Sequence, residues 1–499
     1  MHGTDPHADA PGRGLITART LSVILAGIVL IRLVALPAYP LLDKSEARYA
    51  YIGELMVQTG NWITPFIEHG VPFWAKPILS FWMTAASLTA FGINEFAARL
   101  PSFLIFLAVG FLAYGLGASR RDKELGLAAA CIFASTSLTF YLGGTVMTDP
   151  ALMLGVTVVM ASYWKCVGSE TPGGRGWGYM FFVGVAIGAL AKGPIGAIIP
   201  GLSIAAWATQ HRKWGDTWRR LPWIGGTLLT LVLVLPWYIA AEIRTPGFLR
   251  YFIIGEHFER FLVSHWEGDL YGAGRARPIG TIWLFGLISG LPWSAVLLVF
   301  FFRARARKEL FQKAIIGDPW LSYLIHWLLA PLVLFTFAKN ILLTYVATSA
   351  PAFALLTAHA FRRIGERTDR YGFIATACIV PVLFVGAVIA VGLDPGSNYF
   401  PSQKGIVATY KTLAANKASQ LFYVFDKPYS ADFYTGGTAK SANGDADMDK
   451  ALRAGYPFFV VTKGVYSQLP DAMKKRVVIV TERNHDILLR PRDSAPAAQ

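Results

Sequence analysis

Long apolar runs recur along most of the chain, separated by polar connections that are mostly short. They cover residues 21–38, 100–118, 125–142, 151–167, 179–191, 195–208, 221–241, 279–302, 321–337, 341–361 and 371–393. A helix rises about 1.5 Å per residue, so roughly 18 to 20 apolar residues cross a bilayer core. The pattern predicts a polytopic α-helical membrane protein of about 11 spans. The stretch 73–92 is apolar too, but Pro72, Lys76 and Pro77 stand at its start, which predicts a re-entrant or interfacial helix. Two connections, 39–99 and 242–278, are long and mix Trp, Phe and Tyr with charges, as helices lying in the membrane interface do.

From residue 394 the pattern changes to short alternating or continuous apolar runs at 420–426, 456–464, 475–482 and 485–491, separated by polar and Gly-rich turns. Residues 448–454 read as a polar helix between them. The reading is a membrane domain at 1–393 and a small α/β domain at 394–499. The second part carries no nucleophile–base or metal-ligand cluster, so a scaffolding role is expected.

Composition agrees: 54% of residues are hydrophobic and 15% charged, with a mean hydropathy of +0.44, where a soluble domain carries about 25% charged residues. The net charge of +15 does not point to nucleic acid. Lys and Arg gather in the loops 119–124, 165–177, 211–220, 303–313 and 362–370, and are sparse in 143–150, 192–194 and 338–340. That alternation is the positive-inside bias of a membrane protein. It predicts a cytoplasmic N-terminus, a retained first helix and an extracytoplasmic C-terminal domain. Cys131, Cys166 and Cys378 match no metal or disulfide spacing and read as small buried hydrophobes.

Ionisable residues are costly at membrane depth, so their placement is informative. Asp43, Glu46, Arg48, Lys76, Asp149, Lys192, Lys339 and the group Glu256, His257, Glu259 and Arg260 all fall at expected outer ends. Glu95 and Arg99 read as interface anchors. A transporter would need polar groups near the midplane, and no internal repeat is visible. A carboxylate beside an acceptor hydroxyl serves as a general base, while Lys and Arg stabilise a departing phosphate. Carboxylates with a His also suit a divalent metal, with Glu46 and His257 as candidates. These parts suit group transfer from a lipid phosphate. Asp149 ahead of Pro150 equally suits a helix start, and Lys192 and Lys339 equally suit snorkelling anchors.

The segments "SEARYAYIGELMVQTGNWITP" (45–65), "FWAKPILSFWMTA" (73–85), "NEFAARLPS" (94–102), "TVMTDPALM" (145–153), "LAKGPIG" (190–196), "LPWY" (235–238) and "GEHFERF" (255–261) occur in one order. In this the chain resembles the bacterial aminoarabinose lipid A transferases, within the protein O-mannosyltransferase-like membrane glycosyltransferases. The resemblance implies a polyprenyl-phosphate sugar donor, inversion at the sugar, and an active site on the periplasmic face of the inner membrane. The implied acceptor is a cell-envelope glycolipid such as lipid A. It implies a catalytic carboxylate at Asp43 or Glu46 and another at Asp149. Arg48, Lys76, Lys192, His257, Arg260 and Tyr345, in "LLTY" (342–345), would bind the donor phosphate. Two positions depart from the family: Ser45 stands where an Asp precedes the Glu, and Ala75 stands where a Glu precedes Lys-Pro. The second removes a candidate metal ligand. A flippase of lipid-linked sugars and a protein O-glycosyltransferase are the alternatives.

Overall fold

The structure is a computed structural model that describes residues 16–120, 122–169, 173–263, 266–272, 276–302, 318–364, 369–393, 401–415, 419–483 and 485–492. The basic loop at 303–313, parts of those at 119–124, 165–177 and 362–370, and the expected boundary at 394 lie outside the described residues. Each of the apolar runs falls on helix. Among the described residues, six helices are long and apolar enough to cross a bilayer: Ala18–Ala35, Glu95–Ala118, Asp149–Gly168, Trp223–Arg244, Pro319–Thr336 and Asp369–Ala390. The pair Thr281–Ser289 and Trp293–Phe300 is apolar enough as well but bent by 103°, the form of a broken span or a re-entrant loop, where Pro292 can donate no helical N–H. The stretch 73–92 holds only the short helix Leu79–Phe91.

The other runs are shorter or interrupted. The run 125–142 splits into Lys123–Ser135 and Ser137–Leu142. Its hydroxyls are the cause: Ser135 Oγ donates to the Cys131 carbonyl and Thr136 Oγ1 to that of Ile132, both at 2.6 Å. Thr139 Oγ1 donates to Phe133. Side chains that compete for carbonyls weaken the helical ladder, and Thr136 adopts an extended backbone. The run 341–361 begins as tight 3₁₀ turns over Leu343–Ser349 before the helix Ala350–Ile364.

The chain divides into two compact units. The first comprises Met1–Val34, Trp74–Ser80 and Pro101–Phe384. Its centre is the antiparallel pair Asp149–Tyr163 and Arg175–Lys192. These helices meet through glycine: a Cβ on Gly155 would lie 2.6 Å from the Gly188 nitrogen. At one end of the pair a knot of buried rings joins Tyr163, Trp164, Trp207, Trp320 and Tyr323. Its polar tips are satisfied, with Tyr163 OH 2.7 Å from Thr217 Oγ1 and Tyr323 OH donating to the Met160 carbonyl at 2.6 Å.

The second unit comprises Ala35–Phe73, Phe81–Leu100 and Val385–Gln499. It contains the helix Ser45–Thr59, the hairpin β1 (Phe66–Glu68) with β2 (Val71–Pro72), and a five-stranded sheet. The sheet strands are β3 (Ser419–Val424), β4 (Lys440–Ala442), β5 (Tyr456–Thr462), β6 (Val477–Arg483) and β7 (Asp486–Pro491), ordered β4-β3-β5-β7-β6. β3 pairs in parallel with β4 and β5, and β7 antiparallel with β5 and β6. Neighbouring residues serve opposite faces: Phe459 and Leu489 pack in one core, Phe458 and Leu488 in the other. Covered on both sides, β5 reads as a continuous apolar run. The short polar β4 was not expected from sequence.

Candidate active site

One cleft in the first unit is lined by Lys76, Lys192, Glu256, His257, Arg260 and Tyr345, among others. Asp149 opens its helix with Pro150 behind it, yet its carboxylate turns to Lys192, whose Nζ lies 2.7 Å from Oδ1. The glycine-mediated packing sets this contact, because it places the start of one helix beside the end of the other. Lys192 is the last residue of Arg175–Lys192, and Gly193 follows at φ +73°. That left-handed turn favours glycine. Space demands it as well, since a Cβ there would lie 2.6 Å from Phe252 and 3.2 Å from His257. The Lys192 ammonium stands 5.1 Å from the centre of the Tyr345 ring.

Lys76 and Arg260 share one partner. Glu256 Oε2 lies 2.9 Å from Lys76 Nζ, and Arg260 Nη1 reaches Oε1 at 2.9 Å and Oε2 at 3.1 Å. Asp269 Oδ2 adds a longer contact to Arg260 Nη2, at 3.7 Å. Burial alone would raise the Glu256 carboxyl, but Lys76 and Arg260 hold it below its ordinary value. Burial likewise opposes the Arg260 charge, and Glu256 outweighs it, so the guanidinium is held more firmly than usual. His257 is a brace: Nδ1 lies 2.7 Å from the Phe252 carbonyl and Nε2 3.0 Å from that of Lys192. Burial lowers its pKa below the ordinary value, with the two carbonyls pulling the other way. Asn340 Nδ2 donates to the carbonyls of Arg260 (2.7 Å) and Val263 (2.9 Å), fixing the end of that segment.

The donor set does not fit a metal. Both His257 nitrogens face carbonyls, Ala75 brings no ligand to the cleft, and Glu46 is engaged elsewhere. Among the described residues, no group of three or more His, Cys, Asp or Glu could hold one.

A family model for dolichyl-phosphate-mannose-protein mannosyltransferases matches residues 20–252. An undecaprenyl phosphate-alpha-4-amino-4-deoxy-L-arabinose arabinosyl transferase of Enterobacter sp. (strain 638) is 30% identical over 421 residues, or 81% of this chain and 70% of the relative. The chain belongs to this transferase family. It is a membrane glycosyltransferase. The enzyme of the same name from Pseudomonas paraeruginosa is 29% identical over 68% of this chain, which spans 59% of that relative's length. The crystal structure of ArnT from Cupriavidus metallidurans bound to undecaprenyl phosphate matches with a TM-score of 0.72 at 18% identity. It covers 97% of this chain and 100% of that one, a likeness of fold.

The structure thus brings Lys76, Asp149, Lys192, His257, Arg260 and Tyr345 together in the first unit. Asp43, Glu46 and Arg48 belong to the second. Asp43 accepts from the Ser430 amide at 2.9 Å and from its hydroxyl, capping the helix Tyr429–Thr435. Burial pushes its carboxyl up to about 6, against those two hydrogen bonds. Glu46 is buried against Arg99, with Nε 2.7 Å from Oε1 and Nη2 3.1 Å from Oε2. Arg99 also donates to the carbonyls of Leu36, Tyr39 and Pro40. The reading of Arg99 as an interface anchor is therefore corrected, because the residue is fully buried and ties down the chain entering this unit. Arg48 lies near the rings of Tyr49, Phe73 and Tyr429, 5.4 to 5.6 Å from their centres.

Sequence reasoning gave Glu256 no role, although its i,i+4 spacing to Arg260 was a signal for the pair. Asn340 carried no signal. Lys339 falls at an expected outer end, but of the two neighbours it is Asn340 that lines the cleft.

Proposed function

We propose that the protein transfers a monosaccharide from a polyprenyl-phosphate donor to a cell-envelope glycolipid of the lipid A type, with inversion; the donor class is the one its arabinosyl transferase relatives are named for. The observation that carries this is the cleft itself, where Lys76, Lys192 and Arg260 converge: Glu256 ties Lys76 to Arg260, and Asp149 is the carboxylate paired with Lys192. The acceptor hydroxyl attacks the anomeric carbon and gives its proton to Asp149. As the new C–O bond forms, the bond to the phosphate oxygen breaks, and its electron pair leaves on the polyprenyl phosphate. Lys76, Lys192 and Arg260 stabilise that developing charge. Glu256 holds Lys76 and Arg260 side by side beforehand, and His257 fixes the turn that presents Lys192. Asp43 and Glu46, whose carboxylates already serve Ser430 and Arg99 within the second unit, take no part in the step. The phosphate site does not need Arg48, and no step uses a metal.

The same reading puts the reaction at the periplasmic face of the inner membrane, with a cytoplasmic N-terminus and residues 394–499 as an extracytoplasmic scaffold. The alternation of basic and charge-poor loops supports it. The test is reconstituted protein given labelled polyprenyl-phosphate aminoarabinose, with lipid A, a peptide or no acceptor. Polyprenyl phosphate released only with lipid A supports the proposal. Release only with the peptide points to protein glycosylation, and donor crossing the bilayer unchanged points to a flippase. Asp149→Asn is expected to slow transfer on the order of 10²- to 10⁴-fold; unchanged transfer would remove Asp149 as the base.

A further inference from the structure

A second cavity opens at the other end of the same helices. Arg175–Lys192 ends at the cleft and begins, about 26 Å away by helical rise, at a cavity lined by Gly173, Gly174, Arg175, Arg219, Arg220 and Pro222, among others. Asp149–Gly168 likewise starts at the cleft and ends here, through Cys166. The cavity has a volume of about 530 Å³, in the range of sites for small ligands and headgroups (roughly 300–1,000 Å³).

Its chemistry is cationic. Arg175 and Arg219 are exposed, and Arg220 Nη1 donates to the Cys166 carbonyl at 3.1 Å. The carboxylate of the helix Trp214–Arg220, Asp216, is paired with Lys213 at 2.9 Å. Among the described residues, no carboxylate lies within ion-pair distance of the three arginines. Arginine forks match phosphate oxygens bidentately. Exposed apolar side chains adjoin these lining residues in sequence. The span Trp223–Arg244 begins at the cavity's edge with Ile224 90% exposed, and Leu228 and Trp218 are exposed too. Trp218 and Trp223 pack at 4.7 Å, and the Trp223 indole N–H, though buried, meets no acceptor among the described residues. Tryptophans at the end of a span mark the headgroup level of a membrane. A free anion would use only the arginines, whereas a phospholipid uses the arginines and the exposed apolar side chains together.

We propose that Arg175, Arg219 and Arg220 form a binding site for the phosphate of an anionic phospholipid, on the membrane face opposite the catalytic cleft. The test needs neither donor nor acceptor, so its outcome is independent of the transferase reading. The full-length protein in detergent is titrated with phosphatidylglycerol, phosphatidylcholine or inorganic phosphate, and bound lipid is counted by native mass spectrometry. The wild type should retain phosphatidylglycerol in preference to phosphatidylcholine. R175Q/R219Q/R220Q should weaken that binding about 100-fold, and Arg219→Gln alone about fivefold. Arg219→Gln, on an exposed position, guards against a triple variant that fails to fold. Equal phosphatidylglycerol binding by wild type and Arg219→Gln, or displacement of the lipid by an equal concentration of inorganic phosphate, would overturn the proposal.

Discussion

Glu54 shows what a single buried carboxyl can do to this protein. It lies in Ser45–Thr59, 2% exposed, with Oε1 taken by Gln58 at 2.9 Å and Oε2 without a partner among the described residues. Burial pushes its pKa up to about 8, with the Gln58 hydrogen bond pulling back and Asp432 adding its repulsion. Asp43 and Asp432, each pushed up to about 6, lean the same way. A raised carboxyl pKa means that the folded state binds the proton more tightly than the unfolded chain. Its stabilisation is complete below the ordinary carboxyl pKa and is lost as pH rises through the folded value. The melting temperature should therefore fall between pH 5 and pH 8, and Glu54→Gln should flatten that fall. A variant with an unchanged slope would show that Glu54 does not carry the dependence. None of this was legible in the sequence, where Glu54 is one more charge in a charged loop.

At the scale of elements, the Asp149–Lys192 pair depends on how closely two helices approach. Gly155→Val would force its side chain into the Gly188 backbone and push the helices apart. Overpacking of this kind costs about 1–3 kcal/mol, and the Asp149–Lys192 contact should open with it. Transfer should drop more than the melting temperature alone explains, which activity measured well below the unfolding transition would reveal. Much at this scale was readable beforehand. Asp-Pro marked a helix start and Lys-Gly-Pro a helix end, because proline and glycine impose backbone constraints that need no partner. The break at Thr136 was not read, since the apolar count over 125–142 hides hydroxyls that reach back to carbonyls. Nor was the pairing of Glu46 with Arg99, because no local pattern tells which distant cation a carboxylate will meet.

For the whole molecule, that buried pair governs how the second unit holds together. Removing one partner leaves an uncompensated charge, at a cost of about 3–5 kcal/mol. Arg99→Met should therefore lower the melting temperature sharply, and Glu46→Gln/Arg99→Met together should recover part of the loss. If the double variant is no better than the single, Glu46 has a role that the ion pair does not explain. The span pattern and the C-terminal strands were legible because apolar periodicity is a local property. The membership of the second unit was not, because it gathers three separate stretches of chain.

That discontinuity has a consequence for how the protein is made. Asp43 and Ser430 are 387 positions apart, so the helix Ser45–Thr59 emerges early in synthesis and waits for its partner until nearly the whole polypeptide exists. Contacts of such long range form late. A premature stop before β3 would thus leave its mark near the start of the chain, on a segment whose own codons are intact.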